Sequence, residues 1–528
     1  MVRDTIAPDL FTSNSNVLCV SSIILLGGFI LTIIEYLKNS AQRVPNKVAF
    51  SDQEKELTFA QLEENANRIG TALIKKVNTV NEPIAVIIDR NVESISAFMG
   101  IAMSRNFYVP IDESQPIQRI RTILEQMQPV TIISLGNIPE ELVGTVDVPI
   151  LEYADLISFD ADLELLGKVR AHCLDTDPLY AICTSGSTGV PKGVLISHRC
   201  VRDFIPVFCE TFNFDENEVF GNQAPFDFDV SVKDIYSTLY CGATMHIIPK
   251  VCFSMPKLLV ETLDDRKITT VVWAVSALCI VAGVNAFKKR VPQALKKVLF
   301  SGEVMPIKML NIWRQYLPEA MFVNLYGPTE ITCNCLYYII DREFENTDKL
   351  PLGIPFKNEG VLFLNEKNEP ISVGETGEIC VVGTCVGLGY YRNPEKTAAA
   401  FVENPLNNRY PERMYRTGDL AELSEQGEYF FAARKDFQIK HMGHRIELEE
   451  IETYMNAIEG MVRACCLFDQ DKNKIVAFYV SELDKIQIIE ALKADLPKYM
   501  IPNIFVKLDS MPISKNGKID RQQLRNML

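Results

Sequence analysis

Apolar and polar positions along this chain follow two periods, and the period changes from segment to segment. Ile33-Ile34-Glu35-Tyr36-Leu37 opens a helical pattern that runs toward Ala41. Thr58 precedes Leu62, Ala66, Ile69 and Leu73 at helical spacing, and Gln61 completes a capping box. Ile84–Ile88 predicts a strand, Val92–Met103 a helix, and Tyr108–Ile111 a short strand. A helix over Ile117–Gln128 and a strand over Val130–Ser134 follow. Strands alternating with helices predict parallel α/β layers.

Asp147–Asp177 shows no clear period and reads as an irregular connection. Beyond it, Phe204–Phe214 and Ser231–Leu239 predict helices. Thr244–Ile248, Thr269–Trp273, Lys297–Ser301 and Met321–Leu325 predict strands. The last two end in polar, Gly-containing stretches, Ser301-Gly302-Glu303 and Tyr326-Gly327-Pro328-Thr329-Glu330, where open α/β sheets bind ligands. From about Gly353 short β runs with Gly turns dominate, such as Gly377–Gly383. Near Asp436 the texture changes again. Ile446–Met455 and Ile486–Leu496 predict helices, and Lys474–Val480 and Ile504–Leu508 strands, which suits a small α+β module.

The chain has 528 residues, too many for one ordinary core. Its 47% hydrophobic and 23% charged content is that of a globular protein. A net charge of −15 with no basic run argues against nucleic acid or an anionic membrane as the main partner. The 14 cysteines form no C-x-x-C, and the five histidines show no metal spacing. Reduced thiols in a cytoplasmic protein are the simplest account. One segment stands apart. Val17–Ile34 carries no charge and lies at the lower length limit for a membrane span. Its Ser-Ser and Gly-Gly pairs and β-branched residues also suit a buried strand or turn, so membrane association is not favoured.

The candidate chemistry centres on Thr184–Gly193, TSGSTGVPKG. It follows the apolar run Leu179–Cys183 and precedes the β-like run Val194–Ser197. Glycines let backbone N–H groups approach an anion, the hydroxyls of Thr184, Ser185, Ser187 and Thr188 add donors, and Lys192 adds a point charge. Such a loop suits a polyphosphate, although no G-x-x-x-x-G-K-[ST] spacing fits it.

With these motifs in order, the chain resembles the adenylate-forming enzyme superfamily. Within it, it is most similar to amino-acid adenylation domains of non-ribosomal peptide synthetases and to the stand-alone D-alanine–carrier protein ligase group. The likeness runs from about Ile33 to the C-terminus. It is carried by Leu57-Thr58-Phe59, Phe107–Asp112, the TSGSTGVPKG loop, Phe228-Asp229, Asn324–Glu330, Tyr415–Asp419, Arg434-Lys435-Asp436 and Asn516-Gly517-Lys518.

The resemblance implies an α/β fold: a large N-terminal domain of two α/β subdomains plus a β-rich subdomain, and a small mobile α+β C-terminal domain. The implied divisions are an apolar extension over 1–32, a large ATP- and substrate-binding domain over 33–435, and the small domain over 436–528. It implies ATP-dependent activation of an amino acid as an adenylate with loss of pyrophosphate. Transfer to the phosphopantetheine thiol of a carrier protein follows. No Gly-Gly-x-Ser carrier site follows Leu528, so the carrier is expected in trans.

By the same resemblance Thr184, Ser185, Gly186, Ser187, Thr188, Gly189 and Lys192 hold phosphates. Asn324, Tyr326 and Gly327 belong to the nucleotide site, with Tyr326 stacking on adenine. Thr329 donates to a phosphate oxygen and Glu330 reaches Mg²⁺. Asp419 accepts the ribose hydroxyls, and Arg434 adds a ribose or phosphate contact. Lys518 is the main catalytic residue, bridging substrate carboxylate and nucleotide. Asp436 is the hinge about which the small domain turns, withdrawing Lys518 and bringing Gln438–Gly443 to the site.

Asp229 matches the aspartate that pairs with a substrate α-ammonium, and Phe228 the aromatic beside the carboxylate. Val230, Lys233, Leu299, Ser301, Leu325, Cys333 and Asn334 match pocket walls. Lys233 leaves two readings open. It pairs with an acidic substrate side chain, or it points away toward a protein carboxylate near Asp234. The second is the cheaper, because a buried ammonium needs a partner and a protein one places no demand on the substrate. Glu449-Glu450 in place of Gly-Glu, Ala433 before Arg434, and His441-Met442 depart from the peptide synthetase pattern. The alternatives are an acyl- or aryl-CoA ligase, against which Asp229 counts, and an idle adenylation fold that only binds a partner.

Overall fold

Two sheets enclose a shared layer of helices. The computed structural model describes residues 32–136, 138–139, 141–142, 147–186, 190–470, 472–513 and 519–528. One sheet of seven strands runs Gly389–Tyr390, Lys192–Ser197, Pro178–Thr184, Phe107–Asp112, Pro83–Ile88, Thr131–Ser134 and Ile150–Glu152 in spatial order. The other, of nine strands, has Met321–Tyr326, Lys297–Ser301 and Thr270–Ala274 side by side and parallel. Helices Ile34–Arg43, Phe59–Lys76, Val92–Met103, His198–Thr211 and Val230–Cys241 contribute to one core with both sheets.

The outer sheet faces are covered separately. In Thr270–Ala274, Val272 points into the shared core, while Val271 and Trp273 point to a second core with Pro256–Asp265, Val275–Gly283 and Ile307–Tyr316. That is the two-residue alternation of a strand buried on both faces. Helix Ile117–Met127 covers the outer face of the seven-stranded sheet.

The element boundaries follow local chemistry. Thr58 and Gln61 form the capping box in full, and Leu62, Ala66, Ile69 and Leu73 are buried. Ser197 caps the helix His198–Thr211, which begins before the predicted Phe204 because the cap lies at the strand's last residue. The stretch read as irregular, 147–177, instead holds the strand Ile150–Glu152 and helices Tyr153–Ile157 and Leu163–Arg170. These elements are too short for a period to declare itself.

A five-stranded antiparallel sheet follows, built from Glu359–Leu364, Thr376–Gly383, Phe401–Glu403, Arg413–Leu423 and Tyr429–Arg434. After Arg434 comes a two-stranded hairpin, Gln438–His441 with His444–Glu447. Beyond it a three-stranded sheet of Met461–Asp469, Lys474–Ser481 and Ile504–Lys507 has its own cores. One face of that sheet packs helix Leu448–Ala457 and the hairpin's Ile439 and Ile446. The other carries Cys465, Leu467, Val476 and Phe478 with Ile519 and Leu524. The helix predicted from Ile446 starts at Leu448, because Ile446 belongs to the hairpin.

Thr32, Ile33 and Ile34, at the end of the uncharged segment, are buried, and Ile34 opens the first helix. The rest of Val17–Ile34 lies outside the described residues. Among the described residues no helix is long and apolar enough to cross a membrane. All described cysteines are free.

Candidate functional site

The strands Pro178–Thr184 and Lys192–Ser197 pair antiparallel, Thr184 opposite Lys192, so the glycine-rich loop is the tip of a hairpin. A side chain at Gly186 would collide with the Val190 carbonyl, which explains glycine where the loop doubles back. Thr184 Oγ1 is buried with no partner among the described residues, the state of a donor kept for a ligand. Ser187, Thr188 and Gly189 lie outside the described residues.

The cleft beside this loop forms at the carboxyl ends of Lys297–Ser301 and Met321–Tyr326. Thr184, Ser185, Gly327, Thr329, Asp419 and Arg434 line it, together with Phe228, Asp229, Val230, Lys233, Ser301 and Cys333. Thr332 and Cys333 both have positive φ, 61° and 77°, a conformation that costs energy in residues with a Cβ and clusters at functional sites. This bend turns the chain so that Cys333 faces the cleft. Leu299 and Leu325 are buried in their strands and are not on the cleft wall. Asn334 stands behind the wall, bonded to Lys233. Asn324 turns its amide to the Pro351 carbonyl at 2.9 Å, away from the cleft.

Four charged clusters shape the electrostatics. Glu330 is fully buried and meets Tyr390 Oη at 2.8 Å, Arg445 Nη1 at 2.7 Å and Lys192 Nζ at 3.6 Å. Burial alone raises its pKa, but Arg445, Lys192 and Tyr390 outweigh that and hold the carboxyl well below the usual range. Burial and Arg445 in turn lower Lys192 to about 8. Asp419 accepts from Tyr326 Oη at 2.6 Å and Arg434 Nη1 at 2.5 Å, and Arg434 also forks onto Asp436 at 2.7 and 2.8 Å. Asp229 is hydrogen-bonded by Thr329. Its pKa is raised by burial, which Lys233, Thr329 and Lys440 partly offset. Asp227 accepts from Gln115 at 2.9 Å, and burial, with Asp112 adding, pushes it up to about 7.

The small domain closes the cleft. Met442 and Gly443, both at positive φ, form the two-residue tip of its hairpin. The Gly443 N–H donates to Glu303 at 2.6 Å, and its Cα sits so close to Ala274 that a Cβ would lie 2.9 Å from Ala274 Cβ. Ser185 Oγ donates to the Arg445 carbonyl at 3.0 Å. His444 meets Phe228 edge-on at 4.6 Å and stacks on Tyr499 at 3.5 Å. Lys440 lies 5.4 Å from the Tyr326 ring centre. Glu450, buried, pairs with Arg119 and lies close enough to Ser185 and the Gly186 backbone for both to favour its charged form. A small-domain carboxylate therefore rests on the loop proposed for phosphate, and a small-domain guanidinium on Glu330.

This arrangement bears on the ligands the sequence implies. With the hairpin docked, the space left in the cleft measures about 90 Å³, too small for a nucleotide. Lys440, Gly443, Arg445 and Tyr499 take up the remaining space. A divalent cation does not fit at Glu330 with the hairpin docked, because both carboxylate oxygens already meet cationic or hydroxyl partners. No cluster of three or more His, Cys, Asp or Glu suited to a metal occurs among the described residues. Among the described residues no carboxylate lies within ion-pairing distance of Lys233, for which a protein carboxylate near Asp234 was expected: the residue lines the cleft, and its Nζ donates to the neutral Asn334 Oδ1 at 2.6 Å.

Lys518 lies outside the described residues. The segments that flank it, Ile513 and Ile519, bridge to each other, and Ile519 packs on the sheet face opposite the hairpin.

Sequence reasoning brought Gln438–Gly443 to the site without singling out Lys440, noted Glu450 without a role, and missed His444 and Arg445, and with them Arg119 and Tyr390. A signal was present. Gln438–His441 and His444–Glu447 alternate around Met442-Gly443, with Ile439 and Ile446 on one face. That is a hairpin pattern.

A glycine-rich hairpin and buried carboxylates near strand ends thus face one cleft, across which the C-terminal hairpin docks. The model of the family described as "AMP-binding enzyme" matches residues 37–391, and the chain belongs to that family. It is 32% identical over 513 residues to a D-alanine–D-alanyl carrier protein ligase of Bacillus cytotoxicus, covering 94% of this chain and 99% of that protein. It is 29% identical over 503 residues to tyrocidine synthase 3 of Brevibacillus parabrevis, covering 93% of this chain but spanning only 8% of that far longer protein. The fold matches the solved holo-PA1221, an NRPS protein containing adenylation and PCP domains bound to a vinylsulfonamide inhibitor. The TM-score is 0.81 at 22% identity, over 94% of this chain and 84% of that one.

Proposed function

We propose that the chain activates an amino acid as its aminoacyl-adenylate and then passes the aminoacyl group to the phosphopantetheine thiol of a carrier protein. The observation that carries this reading is Asp229, a carboxylate on the cleft wall beside Thr329. A partly desolvated α-ammonium needs such a partner, and a fatty or aryl acid has no use for it. The near full-length likeness to proteins named D-alanine–D-alanyl carrier protein ligases supports the carrier step.

In the first step a carboxylate oxygen attacks the α-phosphorus of ATP, and pyrophosphate leaves. The carboxylate is already ionised at neutral pH, so no general base is required. The barrier lies in bringing one anion onto another, and fixed cations and dipoles lower it. In this reading the Thr184–Lys192 loop holds the outer phosphates, Tyr326 lies against adenine, and Asp419 accepts the ribose hydroxyls. A carboxylate has acceptor sites enough to keep Arg434 and Tyr326 as well. Lys518 bridges substrate and nucleotide. In the second step the thiol sulfur attacks the acyl carbon, its proton is lost, AMP leaves and a thioester forms. The docked hairpin belongs to this second step, and rotation about Asp436 exchanges it for the Lys518 segment.

ATP–pyrophosphate exchange with a panel of D- and L-amino acids tests the reading. Amino-acid-dependent exchange is expected, and Asp229→Ala should lower kcat/KM by about 100-fold. Exchange driven equally well by acids without an amino group would contradict it.

A further inference from the structure

Lys233 is 1% exposed, lies on the helix Val230–Cys241 and is one of the residues that line the cleft. An ammonium has three donors. One goes to Asn334 Oδ1 at 2.6 Å. Among the described residues no carboxylate forms an ion pair with it, although Asp229 and Asp234 lie near enough to act through space. Asp234 is turned the other way, onto the Asn222 amide at 2.9 Å. A cation buried against a neutral amide is costly, and proteins keep such groups where a ligand completes them.

Lys233 stands one helical turn from Asp229, about 6 Å along the axis. The two side chains share a face, an anion at one end and a cation at the other. Ser301 and Cys333, both nearly buried, close the wall around them. An alanine side chain would offer Nζ no acceptor. A short side chain ending in a carboxylate would, with its α-ammonium on Asp229 and its distal oxygens on Lys233.

Resting on the amino-acid reading above, we infer that the substrate is a short dicarboxylic amino acid of the aspartate or glutamate class, selected by Lys233. Burial lowers the Lys233 pKa in the absence of such a partner, and a bound carboxylate restores the charged form.

The test is ATP–pyrophosphate exchange by the full chain with D- and L-aspartate, glutamate, glutamine and alanine. An acidic amino acid should exceed alanine and glutamine by at least about tenfold in kcat/KM. Lys233→Met should lower the acidic substrate by about 100-fold and shift the preference toward neutral side chains, while Lys233→Arg keeps the acidic preference. Methionine preserves length and removes a buried charge, so its melting temperature should not fall. If Lys233→Met does not fold, the wild-type panel decides alone. Faster exchange with alanine or another neutral amino acid than with either acidic one overturns this inference and leaves the amino-acid reading standing. Silence with every amino acid overturns that reading, and this inference with it.

Discussion

His198 illustrates how a single side chain ties the fold to pH. It is buried, and its Nδ1 accepts from the Ile33 N–H at 3.4 Å, which requires a neutral ring. Burial lowers its pKa to about 4, against an ordinary 6.5, with Asp177 and Asp175 pulling only weakly the other way. Between these values the unfolded chain takes up a proton that the folded chain refuses. Stability from this group is therefore full above pH 6.5 and falls as pH drops toward 4, by about 3 kcal/mol in all. Urea titrations of wild type and His198→Gln across that range should show a wild-type decline that the variant lacks. Parallel curves would remove His198 from the account. Residues such as this one, and Asp229 and Lys233, were visible in the sequence as types. Their partners were not, because Asn334 lies 101 positions from Lys233 and Ile33 lies 165 from His198.

The hairpin Gln438–Glu447 shows where element-level reading ran out. Several periodic helices were legible to within a residue or two, as Val92–Met103 has the predicted bounds and Thr58 and Gln61 cap as expected, whereas His198–Thr211 starts well before the predicted Phe204. Two four-residue strands joined at Met442-Gly443 gave a weaker signal, and Ile446 was absorbed into the following helix. The consequence reaches the cleft, since this element carries Lys440, His444 and Arg445 to it. Gly443 combines φ 81° with close contact to Ala274. A larger side chain there should lift the tip from Glu303 and misplace the thiol's approach. We expect Gly443→Leu to slow thioester formation about 100-fold while ATP–pyrophosphate exchange persists. Equal loss of both half-reactions would contradict the assignment of the hairpin to the second.

The whole molecule brings two sets of elements, the large body and the C-terminal hairpin with its small sheet, to one cleft. The α/β layering of the body was legible because its strands and helices alternate. The relation of the small domain to it was not, since it rests on pairs far apart in sequence, Glu330 with Arg445 and Arg119 with Glu450. In the docked arrangement these pairs lie where pyrophosphate is proposed to bind, and the proposed function accordingly has the hairpin withdrawn for the first half-reaction. Lys518→Ala should therefore abolish exchange but leave transfer from a preformed aminoacyl-adenylate to pantetheine intact; loss of transfer as well would place Lys518 in both steps. The most direct test of the central claim follows the nucleotide itself. Phosphorus NMR of the enzyme with ATP, pantetheine and its amino acid should show AMP and pyrophosphate accumulating only when the amino acid is present. ADP and inorganic phosphate as products, or turnover indifferent to the amino acid, would contradict it.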